Sequence, residues 1–180
     1  MNSCHWPVLD RILTLETQWL TLIGEHLQDD RGTVLEYWRV EKADSVVILP
    51  IQRGHLVLPV PTYRPGVGKP TLDFPGGRCP ANQLPKQAVA GILKRELALP
   101  ETAASVAPLN QEGWAINSAF SNQRLYGFVA EIQPNVEIPA ARVAGTYRAD
   151  LEGLHALLKV LHCLQCRLVL REWQVQQKGE

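Results

Sequence analysis

The spacing of apolar and polar positions along the chain predicts short strands separated by a few helices. Strand-like apolar runs span residues 33–41, 45–50, 55–60, 105–109, 113–117 and 124–132. The first apolar segment, from Pro7 to Leu27, has mixed spacing, so that a helix and strands both remain open there. A helix is predicted to begin near Pro85 and to end before Pro100.

The C-terminal part of the chain is predicted as one helix, from Asp150 to about Trp173. Seven leucines are placed so that they form one apolar stripe, at positions 151, 154, 157, 158, 161, 164 and 168. Proline and glycine dominate residues 61–85, which predicts a long functional loop with a strand-like piece, Thr71 to Phe74. The order of strands, loop, helix, strands and helix predicts a mixed α/β sandwich.

Composition narrows the choice of function. Lysine and arginine number 18, as do aspartate and glutamate, so the formal net charge is zero. This balance argues against a nucleic-acid or membrane partner, which would require a basic excess. The 180 residues and 46% hydrophobic content fit one globular domain, 1–180. The first residues lack a basic region followed by an apolar core, so we expect a cytoplasmic protein.

Three segments resemble the Nudix hydrolase superfamily. Leu72 to Arg78, followed by a loop and the helix that ends Lys94-Arg95-Glu96-Leu97, resembles the Nudix box. The stretches Tyr63 to Gly68 and Ser118 to Leu125 resemble those that flank the box in ADP-ribose pyrophosphatases.

The resemblance implies a Nudix-type α/β/α sandwich with a mixed sheet and an N-terminal β-rich extension. In this reading the extension is 1–50 and the core with its C-terminal helix is 51–180. In the ADP-ribose branch such an extension exchanges strands with a second subunit, so the resemblance also implies a homodimer. The implied partner is a small nucleoside-diphosphate-type ligand.

The box itself departs from the family pattern when it is aligned on Gly77. Family glutamates, the Arg-Glu pair and the late glycine are replaced at the positions Gln83, Gly91, Ile92, Arg95 and Ala98. Of the family's metal-binding carboxylates only Glu96 remains, which makes it the predicted metal ligand and a predicted catalytic residue. Mg²⁺, the cofactor that the resemblance implies, requires several oxygen ligands, so metal-dependent hydrolysis is expected to be weak or absent.

Two hypotheses for the function therefore stand side by side. In the first, the protein keeps the pocket and binds a nucleotide diphosphate without cleaving it. In the second, it is an active Nudix hydrolase that uses non-standard residues. Arg95 could hold a diphosphate without metal, because a guanidinium binds phosphate bidentately. The alternative is that Arg95 forms an ion pair with Glu96 or with another surface carboxylate.

Further ligand contacts are predicted by the resemblance. Gly76, Gly77 and Arg78 form the glycine-rich loop, and Arg64 with Tyr37 would stack on a base. The alternative for Tyr37 is that it and Trp38 alternate on a strand, one in the core and one at a subunit interface.

Two other groups of residues are candidates outside the box. Glu137 is the best match to the additional catalytic loop glutamate of such enzymes, although exposed glutamates are common. The pair Cys163 and Cys166 forms half of a zinc site, which His155, His162 or the Cys4-His5 pair could complete. Reduced thiols in a helix are the favoured alternative.

Overall fold

The computed structural model describes residues 5–178, and the chain divides into two compact units. The smaller unit consists of residues up to Ala43 together with 115–124, and the larger unit consists of 44–114 and the residues from Leu125 onwards. The first segment of the smaller unit ends at Ala43, whereas the extension was predicted to end at residue 50. Whether the two units make one domain stays a prediction.

The smaller unit is a three-stranded antiparallel sheet. Its strands, in spatial order, are β1 (Val8–Glu16), β2 (Thr21–Gln28) and β3 (Val34–Glu41). The segment with mixed spacing therefore forms two strands and no helix. The loop of residues 115–124 is fastened to β3, since the Val40 N–H donates to the Phe120 carbonyl at 2.8 Å.

The larger unit contains a seven-stranded mixed sheet and a separate hairpin. Its strands are β4 (Ser45–Gln52), β5 (His55–Pro59), β6 (Thr62–Arg64), β7 (Lys69–Thr71), β8 (Gly76–Arg78), β9 (Ala104–Pro108), β10 (Trp114–Ala115), β11 (Arg124–Ile132) and β12 (Val143–Arg148). The central strand β4 pairs in parallel with β11 and antiparallel with β5 and β8, while β6 and β7 form the hairpin. Of the predicted strand piece, Thr71 to Phe74, only Thr71 lies in a strand, because β7 ends at that residue.

Helices lie on the sheet of this unit: α1 (Pro85–Leu97), α2 (Leu151–Val160) and α3 (Leu164–Lys178), with short 3-10 turns at Glu101–Ala103 and Ala140–Arg142. The apolar face of α1 packs with Val46 and Ile48 of β4 in one core cluster. Helix α3 also contacts β4, and α2 contacts β12. The alternation of side chains along β4 supplies an apolar layer to each side.

The predicted single C-terminal helix is wrong. The structure has two helices separated at Leu161, where the backbone is extended (φ −83°, ψ 103°). Arg167 fixes the break, since its Nη1 donates to the carbonyls of Leu158 at 2.6 Å and Leu161 at 2.9 Å. Leu164 and Leu168, predicted as part of the stripe, are exposed. Helix α3 instead buries another face, formed by Cys166, Val169, Leu170 and Trp173.

Both ends of α1 follow from its sequence. Pro85 occupies the first helical turn, and the Gln87 side chain accepts from the Leu84 N–H at 2.8 Å. After Leu97 the chain enters the left-handed conformation at Ala98, with φ 57°.

Within residues 5–178, no helix is long and apolar enough to cross a membrane.

Candidate functional site

The glycine-rich loop and the last turn of α1 meet at Arg95. Strand β8 pairs with the beginning of β4, with Gly76 opposite Val47 and Gly77 opposite Val46. Arg95 Nη2 donates to the Gly76 carbonyl at 2.8 Å. A Cβ on Gly77 would lie 3.2 Å from the same nitrogen, so the glycine permits the close approach of the guanidinium.

The same guanidinium pairs with Glu96. Arg95 Nε lies 3.0 Å from Glu96 Oε1, and Nη2 lies 2.9 Å from it. The Arg95 side chain is nevertheless 57% exposed, against 27% for Glu96. Arg95 therefore bridges the loop carbonyl and the last box carboxylate, and it still presents part of its guanidinium to solvent.

The residues at the box do not fit a magnesium cluster. Ile92, predicted to replace a family carboxylate, is 3% exposed and lies in the core cluster. Glu96 is the one carboxylate that the helix offers here, and Arg95 already neutralises it. Mg²⁺ prefers near-octahedral oxygen coordination, which one paired carboxylate does not provide.

A second arginine near this place was not predicted from the sequence. Arg142 Nη1 lies 3.4 Å from the carbonyl oxygen of Arg95, and the Arg142 carbonyl accepts from the Val60 N–H. Arg142 is far from the box in sequence and belongs to no motif. Its positive charge is therefore the one sequence signal by which it could have been found. Arg78, a predicted ligand contact, is exposed at the end of β8.

Arg64 is engaged with an aspartate that the sequence did not single out. Its Nε lies 2.9 Å from Asp73 Oδ2, which also accepts from the Thr71 hydroxyl at 2.8 Å. The Arg64 side chain remains half-exposed, and its predicted stacking on a base stays a prediction.

Tyr37 belongs to the smaller unit, whereas the other predicted site residues belong to the larger unit. Its hydroxyl donates to the Ala119 carbonyl within that unit, and its side chain is half-buried. Trp38 is more exposed and covers Gly24, where an added Cβ would meet the ring at 2.7 Å. A role for Tyr37 in ligand binding stays a prediction.

Glu137 is exposed in the segment between β11 and β12. The Gln52 amide donates to the carbonyls of Gln133 at 3.0 Å and Val136 at 2.8 Å. These bonds hold the backbone beside Glu137 at the C-terminal end of β4, whereas β8 pairs with the N-terminal end of that strand. The catalytic role of Glu137 stays a prediction.

The two cysteines of the Cys-x-x-Cys pair meet Asp73. One ligand atom from each of Asp73, Cys163 and Cys166 lies within 4.8 Å of the others. The histidines predicted to complete this site are not in the cluster, and Cys4 lies outside the described residues. Cys163 precedes α3 and is half-buried, whereas Cys166 lies in its first turn and is buried.

The pKa values of the two thiols are shifted in opposite directions. A hydrogen bond from Cys166, aided by the backbone N–H groups of Cys166 and Gln165, lowers the pKa of Cys163 to about 6. The same hydrogen bond, followed by burial, raises the pKa of Cys166. Cys163 is therefore the thiol that ionises first.

A solved structure described as an ADP compounds hydrolase has the same fold. It superposes with a TM-score of 0.78 over 99% of this chain and 98% of that chain, at 19% sequence identity. No protein-family model matches the sequence, and no curated protein matches it. At this identity the likeness establishes the fold. The chain has the Nudix-type fold, with a mixed sheet between helices, which confirms the predicted fold class.

Proposed function

We propose that this protein binds a nucleoside-diphosphate-type ligand at the Gly76–Arg78 loop, with Arg95 supplying the positive charge that a divalent metal supplies in the hydrolases it resembles. Metal-dependent hydrolysis is weak or absent. The observation that carries the proposal is the position of the Arg95 guanidinium between the Gly76 carbonyl and Glu96.

The chemistry of this position favours an anion. A guanidinium has five N–H donors in a fixed fork, and Glu96 with Gly76 uses only part of them. A diphosphate can accept from the exposed side of the fork with two oxygens at once. Arg142, whose Nη1 lies 3.4 Å from the Arg95 carbonyl oxygen, adds positive charge nearby.

The ligand class is supported by the structural likeness. The solved neighbour is described as acting on ADP compounds, which contain a diphosphate. The residues that this chain has at the box support binding better than hydrolysis, because one neutralised carboxylate does not assemble the metal ions that would activate water.

Calorimetry with ADP-ribose in EDTA tests the proposal. We expect binding without metal that weakens as salt rises, since a direct ion pair is screened. Arg95→Ala should weaken it by about tenfold or more, the effect of losing one charge-assisted hydrogen bond. Lys94→Ala is the matched control, because it removes the same charge from the next residue, and it should retain most of the affinity.

The same samples are assayed for AMP release with Mg²⁺ or Mn²⁺, and we expect none above background. Binding that requires Mg²⁺, or equal affinity in the wild type and in Arg95→Ala, would contradict the role of Arg95. Turnover on the order of one per second or more would instead establish an active hydrolase with non-standard residues.

A further inference from the structure

The geometry around the Cys-x-x-Cys pair points to a second site, independent of the proposed function. We propose that Asp73, Cys163 and Cys166 bind one thiophilic divalent cation of the zinc type. These residues supply two sulfurs and one carboxylate oxygen, and solvent takes the fourth position of a tetrahedral ion.

The distances suit a single ion. Zinc bonds of about 2.3 Å to sulfur and about 2.1 Å to oxygen place tetrahedral ligand atoms roughly 3.5 to 3.8 Å from each other. The three ligand atoms already lie within 4.8 Å of one another. Small rotations of the side chains are therefore enough to bring all three to one cation.

The surroundings of both sulfurs suit thiolates. Cys166 Sγ accepts from the Phe74 N–H at 3.4 Å in the buried interior. Cys163 directly precedes α3, whose first backbone N–H groups have no partner within the helix. Since the thiolate is the form that binds metal, N–H donors aimed at sulfur favour the state that a cation needs.

One carboxylate oxygen of Asp73 is buried without a partner, and a pair of thiols alone does not explain this. Its Oδ2 is held by Arg64 and Thr71, but Oδ1 is buried without a hydrogen-bond partner. A buried oxygen without a partner is costly, and coordination to a cation removes that cost. Two thiolates and a carboxylate are balanced by a divalent cation and the Arg64 guanidinium, so the complete site is neutral.

Oxidation of the two thiols to a disulfide is the competing explanation of the cluster. A bond between Cys163 and Cys166 would leave Asp73 Oδ1 as it is, buried and unpartnered. The cation accounts for the sulfurs and for this oxygen together, and the structure therefore favours it.

Cobalt(II) titration of the reduced, metal-stripped full chain tests the site directly. We expect one equivalent to produce a thiolate-to-cobalt charge-transfer band that zinc then abolishes. Asp73→Asn should weaken zinc binding by about tenfold or more, and Cys163→Ser should weaken it further and reduce the band. Cys79→Ser is the matched control, because Cys79 is also a buried thiol but lies against the carbonyls of Pro80 and Gln83.

A second measurement does not depend on variants. Zinc should slow the alkylation of Cys163 by iodoacetamide in the wild-type protein, with circular dichroism verifying that every sample is folded. The absence of a charge-transfer band, an equal loss in Cys79→Ser and Cys163→Ser, or a Cys163–Cys166 disulfide that forms equally fast with and without zinc would each overturn the proposal.

Discussion

Ala98 is a residue whose backbone conformation favours glycine. It follows α1 in the left-handed conformation, with φ 57°. A side chain in that conformation costs about 1 kcal/mol, which glycine avoids. We therefore expect Ala98→Gly to raise the free energy of unfolding by up to about 1 kcal/mol in urea denaturation.

A second alanine on the same helix serves as the control. Ala90 lies inside α1, where glycine should lower the free energy of unfolding by about 1 kcal/mol. Opposite signs for the two substitutions are the expected result. A loss of stability in Ala98→Gly equal to that in Ala90→Gly would mean that the helix does not end as described.

Residues close in sequence were more predictable than residues that meet through the fold. The ion pair between Arg95 and Glu96, one of the alternatives that the sequence left open for Arg95, joins adjacent residues and is present in the structure. The cluster at Asp73 could not be predicted, because its contact with the cysteines joins positions about ninety residues apart, as the hydrogen bond from Phe74 to Cys166 shows. No local pattern encodes such a pairing.

At the scale of elements, replacing either of two helical glycines by alanine should change the free energy of unfolding in opposite directions. A Cβ on Gly153 of α2 would lie 2.0 Å from the carbonyl oxygen of Arg148, whereas a Cβ on Gly91 of α1 would have no atom within 4 Å. Gly91→Ala should raise the free energy of unfolding by about 0.5 to 1 kcal/mol. Gly153→Ala should lower it and the melting temperature, because α2 must move away from β12. Thermal and urea unfolding measure both, and stabilisation by Gly153→Ala would contradict the packing of α2 on β12.

Strong periodic segments were predicted well, and elements defined by distant contacts were not. The strands around Val46 and Phe128 and the helix after Pro85 carry clear apolar patterns. β12 was missed because its half-buried positions include Gly145, which gives no apolar signal. The break at Leu161 was missed because the leucine spacing continues through it, while the capping by Arg167 depends on the folded chain.

At the scale of the whole molecule, β1 exposes a row of large apolar side chains. It lies in the segment for which the sequence left a helix and strands both open. The apolar run Val46–Leu49, predicted as part of a strand, is buried in the core of the larger unit. In the smaller unit, β1 is exposed along its full length. Its large apolar side chains are between 42% and 51% exposed, at Val8, Leu9, Ile12, Leu13 and Leu15. An apolar edge strand of this kind requires cover.

We therefore expect a homodimer that buries β1. Light scattering at micromolar concentration should give about 40 kDa, twice the chain mass of 20.1 kDa, because a twofold dimer is the commonest symmetric oligomer. Ile12→Glu places a charge in the middle of β1 and should shift the protein to the monomer. Val175→Glu, at an exposed position of α3, is the matched control and should leave the mass at the dimer value. A wild-type mass of one chain would contradict the dimer, and a dimer that survives Ile12→Glu would show that another surface than β1 holds it together.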